Sequence, residues 1–325
     1  MLKLKYLFEN FELAKTCLEH WKYDAATLDR MLNYYRISAN AVYPYRCDGR
    51  LCFLRLAPVT EKEERNLRGE VEFLLWLQTQ GYPAMRPIAA KDSSYVLTLK
   101  TQWGDWYASS FEGVPGEPIE DSDFEDNVMF AYGKALGRLH TLSAAFTSTV
   151  RKMAHDDALD WVETVLETCD GSDAAHRELA AVRTLCAALP QAAGQYGLVH
   201  YDFECDNVFY DDETGICHAI DFDDGMYHWY VLDVEQALDS IKEECPSECF
   251  DAAAQAFLAG YRTEKPFGEA EQALRPLMRR FINLYSYARL KRSIAEPLAE
   301  EPDWMTEVKG KLTRKVAELE ASFKA

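Results

Sequence analysis

The sequence predicts an α+β chain in which a small antiparallel sheet comes first and a larger, mainly helical part follows. Three observations carry this expectation. Asp48-Gly49 stands between two strand-like runs, 41–47 and 50–56, and an Asp-Gly pair in that setting is the strongest short hairpin signal. A Gly/Pro-rich stretch at 111–116, FEGVPG, marks a connector. Beyond it, apolar residues recur at helical spacing through most of the chain, interrupted by one further hairpin near residues 197–224. The expected division is therefore 1–110, a connector at 111–116, and 117–325.

In the first part, residues 2–35 carry Leu13, Cys17, Leu18 and Trp21 at helical spacing, which predicts one or two N-terminal helices. In the strand after Asp48-Gly49, alternation puts Leu51, Phe53 and Arg55 on one face. A cation among apolar neighbours needs an anionic partner. The next helix supplies one: Thr60 with Glu63 reads as a capping box, Gly81 and Pro83 end the helix, and Leu67, Val71, Leu74 and Leu75 form its buried stripe. Glu70 lies within that stripe and Glu72 points away, so Arg55 and Glu70 are expected to pair. Runs 95–103 and 106–111, turning at Gly104-Asp105, complete the sheet.

Six acids and no base fill 117–126. A helix follows over about 127–142, with Phe130, Ala131, Leu136, Leu139 and His140 toward the core. Helices at 156–169 and 173–190 are read around Trp161, Val165, Leu179 and Leu185. The tail predicts three more, 247–262, 269–292 and 303–323, with breaks at Pro266 and between Pro297 and Pro302, and a kink at Pro276. Arg279, Arg280, Arg289, Lys291 and Arg292 make the charged side of the middle one.

The chemistry concentrates in GLVHYDFECDNVFYDDETGICHAIDFDD, residues 197–224. Apolar runs 208–210 and 216–220 flank a polar turn ending at Gly215, the pattern of a hairpin with a longer loop. Antiparallel pairing brings Asn207, before the first run, beside Asp221, after the second. Asp202 sits five residues upstream on the incoming loop. Oxygen ligands of this kind suit a hard cation such as Mg²⁺, which leaves positions for phosphate and water. A carboxylate not needed as a ligand can accept a proton from an attacking hydroxyl.

The arrangement His200-x-Asp202-x4-Asn207, followed by Asp221-Phe222-Asp223, resembles the catalytic and metal-binding segments of the aminoglycoside phosphotransferase and choline kinase family. The resemblance implies a two-lobed protein-kinase-like fold binding ATP or GTP, with Asp202 as base, Asn207 and Asp221 as Mg²⁺ ligands, and His200 bracing the loop. It further implies that Arg55 contacts phosphates while paired with Glu70, and that Asp233 caps the catalytic loop from below. Adenine would bind the backbone of the hinge, at Ser110, Phe111, Glu112 and Gly113. The segment expected to cover the phosphates, 37–43, lacks glycine, and no P-loop or G-x-G-x-x-G motif occurs. Ser38 and Asn40 are the small donors available there. Two rivals follow from the same resemblance: a protein Ser/Thr kinase, and a catalytically weak nucleotide-binding scaffold.

The net charge of −19 is unevenly placed. Residues 1–110 hold 15 Lys/Arg against 13 Asp/Glu, and the remainder 20 against 41. So negative a second part disfavours nucleic acid and anionic membranes, and favours a small cationic substrate. Glu204, Asp223, Asp224, Glu235 and Asp239, with Tyr227, Trp229 and Tyr230, are read as an acidic and aromatic box for an ammonium group. Tyr285, Tyr287 and Trp304 are candidates for the pocket wall. An amine-bearing alcohol is the expected acceptor. Nine irregularly spaced cysteines, no 18-residue apolar run and a charged first 15 residues without signal-peptide features suggest a cytoplasmic protein with reduced thiols.

Overall fold

The computed structural model describes residues 1–192, 194–296 and 301–323. Two short helices, α1 (Phe11–Leu18) and α2 (Leu28–Leu32), open the chain. They cover the outer face of the first sheet, where Leu13, Cys17, Leu18 and Trp21 pack on Tyr43, Tyr45, Leu54 and Leu56. Trp21 adds an indole hydrogen bond to the carbonyl of Ile88.

Strands β1 (Arg36–Ile37), β2 (Ala41–Cys47) and β3 (Arg50–Pro58) follow. Asp48 and Gly49 hold φ of 51° and 76°, the left-handed pair that a tight hairpin of this twist demands. Helix α3 (Glu64–Thr79) comes next, then β4 (Arg86–Pro87), β5 (Val96–Thr101) and β6 (Gly104–Glu112). The antiparallel order is β1-β2-β3-β6-β4, with β5 also paired to β6. Two local expectations fail. Helix α3 starts at Glu64 with no side-chain cap, and Glu63 pairs with Arg65 instead of closing a box with Thr60. Thr101 pairs with Gly104, so the β5–β6 turn is made by Gln102 and Trp103, and Gly104 begins the strand.

β7 (Glu117–Pro118) pairs with a strand of the second part, so residues 113–116 span the two sheets. Helices α4 (Asp126–Ser143), α5 (His155–Thr168) and α6 (Asp173–Ala187) precede β8 (Tyr196–Leu198), the hairpin β9 (Val208–Asp211) and β10 (Ile216–Ala219), and β11 (Tyr227–Trp229). Helices α7 (Val231–Glu244), α8 (Phe250–Glu264), α9 (Glu269–Ile294) and α10 (Asp303–Ala321) complete the chain. α9 continues through Pro276. Part of the break expected between Pro297 and Pro302 lies outside the described residues.

The main core runs from Phe73, Leu74 and Leu77 of α3 through α4, α5 and α7 to Phe281, Leu284 and Tyr285 of α9. α4 and α8 cross almost backbone to backbone. A Cβ added at Gly133 would lie 1.8 Å from the Phe257 carbonyl oxygen, and one at Gly260 1.9 Å from that of Phe130, so only glycine fits at either crossing point. Phe130 and Leu185, expected in the core, are 39% and 41% exposed. Val128, Met129 and Tyr132 take the buried face of α4 instead. Among the described residues no helix is long and apolar enough to cross a membrane.

Candidate active site

The hairpin delivers its side chains as the antiparallel geometry requires. Val208 pairs with Ala219, and the amide of Ile220 donates to the Asn207 carbonyl at 3.0 Å, which sets Asn207 and Asp221 at one end. Asn207 Nδ2 donates to Asp202 Oδ2 at 3.0 Å and to the Asp202 carbonyl at 3.1 Å. Tyr201 and Asp221 hold φ of 67° and 60°. Non-glycine residues in this region are uncommon and cluster where surrounding structure over-determines the backbone.

That surrounding structure is a set of buried polar supports. Asp233, at the start of α7, accepts the amides of His200 at 2.8 Å and Tyr201 at 2.9 Å, and the Nε2–H of His140 at 3.0 Å. The Tyr261 hydroxyl lies 2.8 Å from His140 Nδ1 and completes the network. His200 donates from Nε2 to the Ile220 carbonyl at 2.9 Å, and its Nδ1 accepts the Asp202 amide at 3.2 Å. Both ring nitrogens are thus used in bracing. Burial holds the imidazole neutral, with its pKa pushed down to about 4.

Across the cleft, Arg55 on β3 donates to Glu70 on α3 through two nitrogens, Nη1 at 2.9 Å and Nη2. Its Nη1 also reaches Asp221 Oδ1 at 3.4 Å, and its guanidinium lies 4.6 Å from the Phe111 ring centre. Partial burial, with Glu204, Asp224 and Asp221, pushes the Asp202 carboxyl well above the usual range. Burial and then Asp223 do the same to Asp221. Carboxylates so placed sit where positive charge is short, and a divalent cation would relieve it. The oxygen set of Asn207 and Asp221 fits a hard cation that takes its other ligands from phosphate and water. Among the described residues no group of three or more His, Cys, Asp or Glu could hold a metal by itself.

The turn expected over phosphates is committed elsewhere. Asn40 is buried, and its Nδ2 donates to Asp223 Oδ2 at 2.8 Å while its Oδ1 has no hydrogen-bond partner among the described residues. Ser38 is exposed; its amide donates to the Asn40 carbonyl at 3.0 Å and its carbonyl accepts the amide of Leu2 at 2.9 Å. In the hinge, the Gly113 amide donates to the Leu51 carbonyl at 2.9 Å, so it is not free for a base. The Ser110 hydroxyl bonds Tyr45 at 2.7 Å, and Glu112 accepts from Arg50 at 2.8 Å.

The acidic and aromatic box does not form as expected. Trp229 and Tyr230 are core residues: the indole donates to the Pro190 carbonyl, and Tyr230 stacks on His140. Tyr227 is partly buried in β11, and its amide donates to the Met153 carbonyl at 2.9 Å. Glu235 pairs with Arg275 and Arg279, and Asp239 with Arg279 at 2.5 Å. Tyr287 is buried, and Trp304 packs edge-on against Phe8. Of Tyr285, Tyr287 and Trp304, Tyr285 alone lines the cavity of about 410 Å³ that Asp223 and Asp224 also line.

The chain supplies that cavity with its own cations. Lys62 bonds Asp223 at 2.5 Å and lies 3.5 Å from Asp224. Arg289 bonds Asp224 at 2.5 Å, with its guanidinium 5.7 Å from the Tyr285 ring and 5.9 Å from Tyr201. Arg292 bonds Glu61 at 2.8 Å. Against the push of burial, Lys62 and Arg55 hold the Asp223 carboxyl well below the usual range. Arg289 and Lys62, likewise against burial, hold Asp224 at about 2. Glu204 is the exception. Burial, then Asp206, Glu243 and Asp239, push its carboxyl up to about 7.

Sequence reasoning missed Lys62, Lys152 and the cavity role of Arg289. Lys152 is fully buried; its Nζ donates to the carbonyls of Phe222 at 3.0 Å and Asp223 at 3.2 Å, and burial pushes its pKa down to about 8. The signal available for Lys62 was its place two residues ahead of the Glu70 helix. Nothing near Lys152 in sequence marks it.

The sequence model of the phosphotransferase enzyme family matches residues 40–267. Amicoumacin kinase of Bacillus subtilis (strain 168) is 22% identical over 204 residues, covering 61% of this chain and 60% of that protein. Homoserine kinase of Caulobacter sp. (strain K31) is 26% identical over 216 residues, covering 65% of this chain and 64% of that protein. The matches thus span less than two thirds of either relative's length. The structure of amicoumacin kinase hAmiN in complex with AMP-PNP, Ca²⁺ and Ami superposes with a TM-score of 0.77 at 20% identity, over 98% of this chain and 95% of that one. The shared fold is the two-lobed protein-kinase-like one.

Proposed function

Because this chain belongs to the phosphotransferase enzyme family, we propose that it transfers the γ-phosphoryl group of ATP or GTP to a hydroxyl of a small, amine-bearing acceptor. The observation that carries the reading is the bonded pair Asp202 and Asn207, set beside Asp221 and facing the Arg55–Glu70 pair across one cleft. Asp202 orients the acceptor hydroxyl and takes its proton as the new O–P bond forms, while the bond to the leaving nucleoside diphosphate breaks. Arg55 meets phosphate oxygens, and Glu70 keeps its guanidinium in place. Asn207 and Asp221 would hold Mg²⁺, which when bound offsets phosphate charge and favours the ionised form of nearby carboxylates. The rest of the catalysis is positioning.

The cavity beside Asp224, Tyr285 and Arg289 is the proposed acceptor site, since Arg289 and Asp224 are among the charges felt by Asp202. Arg289 already fills the place between carboxylate and aromatic faces that a substrate ammonium was expected to take. Glu204, two residues from Asp202 and in no ion pair among the described residues, is the group to receive the amine.

One observation favours a second reading, a nucleotide-binding scaffold: Asn40 is spent on Asp223 rather than left for phosphate. The peptide-kinase reading has less support, because residues 221–233 are taken up by a short loop, β11 and the start of α7. Thermal unfolding with ATP or GTP, each with and without Mg²⁺, followed by coupled nucleoside-diphosphate release on a panel of amino alcohols, separates them. Transferase activity predicts metal-dependent stabilisation and turnover on at least one acceptor. Stabilisation with no turnover on any acceptor supports the scaffold, and no stabilisation by any nucleotide refutes both.

A further inference from the structure

Residues 148–154, which lead into α5, lie along one face of α3 and are fastened to it through two of its side chains. Glu72 accepts the Thr149 amide at 2.8 Å, the Val150 amide at 3.1 Å and the Ser148 hydroxyl at 2.6 Å. Asn66 Oδ1 accepts the Met153 amide at 2.8 Å. Between them Gly69 leaves a notch: a Cβ there would stand 2.4 Å from Lys152 Cγ and 3.1 Å from the Val150 carbonyl oxygen. Asn66, Gly69 and Glu72 recur every three residues, so they share one face, and Glu70 follows the notch directly.

From that notch the Lys152 side chain runs inward to the two carbonyls that follow Asp221, bonding Phe222 at 3.0 Å and Asp223 at 3.2 Å. The same segment is tied on its other side to β11, where the Tyr227 amide donates to the Met153 carbonyl at 2.9 Å. A buried ammonium with two carbonyl partners is costly relative to an apolar side chain of the same length. Packing alone would be served better by methionine, so the ammonium's two bonds call for a reason of their own.

We propose that Lys152 is a positioning residue: seated in the Gly69 notch and bonded to the backbone after Asp221, it sets the Asp221 carboxylate at working distance from the helix carrying Glu70, and hence from Arg55. The inference rests on the reading of Asp221 as a metal-holding residue given above. Groups that orient a ligand from behind typically alter metal affinity ~10–100-fold when removed.

The test measures Mg²⁺-dependent ADP binding by calorimetry, together with the Mg²⁺ half-saturation of turnover and kcat at saturating Mg²⁺. Lys152→Met is expected to weaken Mg²⁺-dependent ADP binding ~10–100-fold, while kcat at saturating Mg²⁺ changes much less. Gly69→Ala keeps the ammonium but crowds its stem, so it should shift the Mg²⁺ dependence in the same direction, and it carries the test if Lys152→Met does not fold. A folded variant of either kind that has a lower Tm but the parent's Mg²⁺ dependence would overturn the proposal, since a packing role alone predicts that outcome. Asp221→Asn is the control. If it leaves the Mg²⁺ dependence intact, the reading of Asp221 fails; if it abolishes the dependence while Lys152→Met does not alter it, only the role of Lys152 fails.

Discussion

Asp221 and Asp223 are two residues apart on one loop, yet their carboxylates live in opposite electrostatic settings. Asp221 faces the cleft with a single guanidinium nitrogen at 3.4 Å, and its carboxyl is pushed up. Asp223 is sealed behind it, bonded to Lys62 and Asn40, and its carboxyl is held down. Asp224 follows Asp223, with Arg289 as its main partner. The difference teaches which acids are open to a ligand: among the described residues Asp202 and Glu204 make no ion pair and Asp221 has only the long one to Arg55, whereas Asp223 and Asp224 have received close cations from the chain. Environments that push like groups apart are how one site assigns different roles to chemically identical side chains.

The largest expected effect tests the open group. Asp202→Ala should lower turnover by about 10²–10⁴, the usual span for a general base, with Tm and nucleotide stabilisation close to the parent. The sealed group should behave in the reverse way. Asp223→Asn leaves the largely buried Lys62 without its main partner, a loss of up to about 3–5 kcal/mol, read as a fall in Tm in chemical or thermal unfolding. Adding Lys62→Met should restore much of that loss, because the two sites share one interaction. If Asp223→Asn left stability intact, the contrast between the two aspartates would be broken.

The smallest effect sharpens the comparison through pH. Glu204 titrates near 7 in the fold, above its ordinary value, so its favourable contribution is present below about 4.3 and is lost as pH rises through 7. At pH 8 the ionised carboxylate should cost about 1–2 kcal/mol, discounted for its partial exposure. Glu204→Gln is therefore expected to raise Tm at pH 8 and to change it little at pH 5. Equal shifts at both pH values would show that Glu204 is not among the cation-starved groups.

The open groups were legible because local geometry dictates them. Two strand-like runs around a polar turn leave little choice about where Asn207 and Asp221 meet, and the observed register brings them there. Alternation along β3 and helical spacing along α3 likewise brought Arg55 to Glu70. That the sealed groups carry cations of their own is not legible in the sequence because their partners are remote: Lys62 is 161 residues from Asp223, and Arg289 is 65 from Asp224. Trp229 and Tyr230 were misplaced for a related reason, since an aromatic beside a catalytic loop reads the same whether it faces a cleft or the core. Asn40 was expected to point at phosphate, and only the packed turn shows it turned toward Asp223.

The sequence alone determined the two-part α+β architecture, the hairpin with its three oxygen-bearing side chains, and the Arg55–Glu70 pair. Each depends on backbone periodicity and pairing over short stretches, which hold wherever the element ends up. Tertiary structure alone decided which carboxylates stay open, that Arg289 takes the expected ammonium's place, and that Lys152 reaches the loop behind Asp221. Charge in a folded protein is settled by distance and burial, and both arise from elements that meet only after the chain has packed.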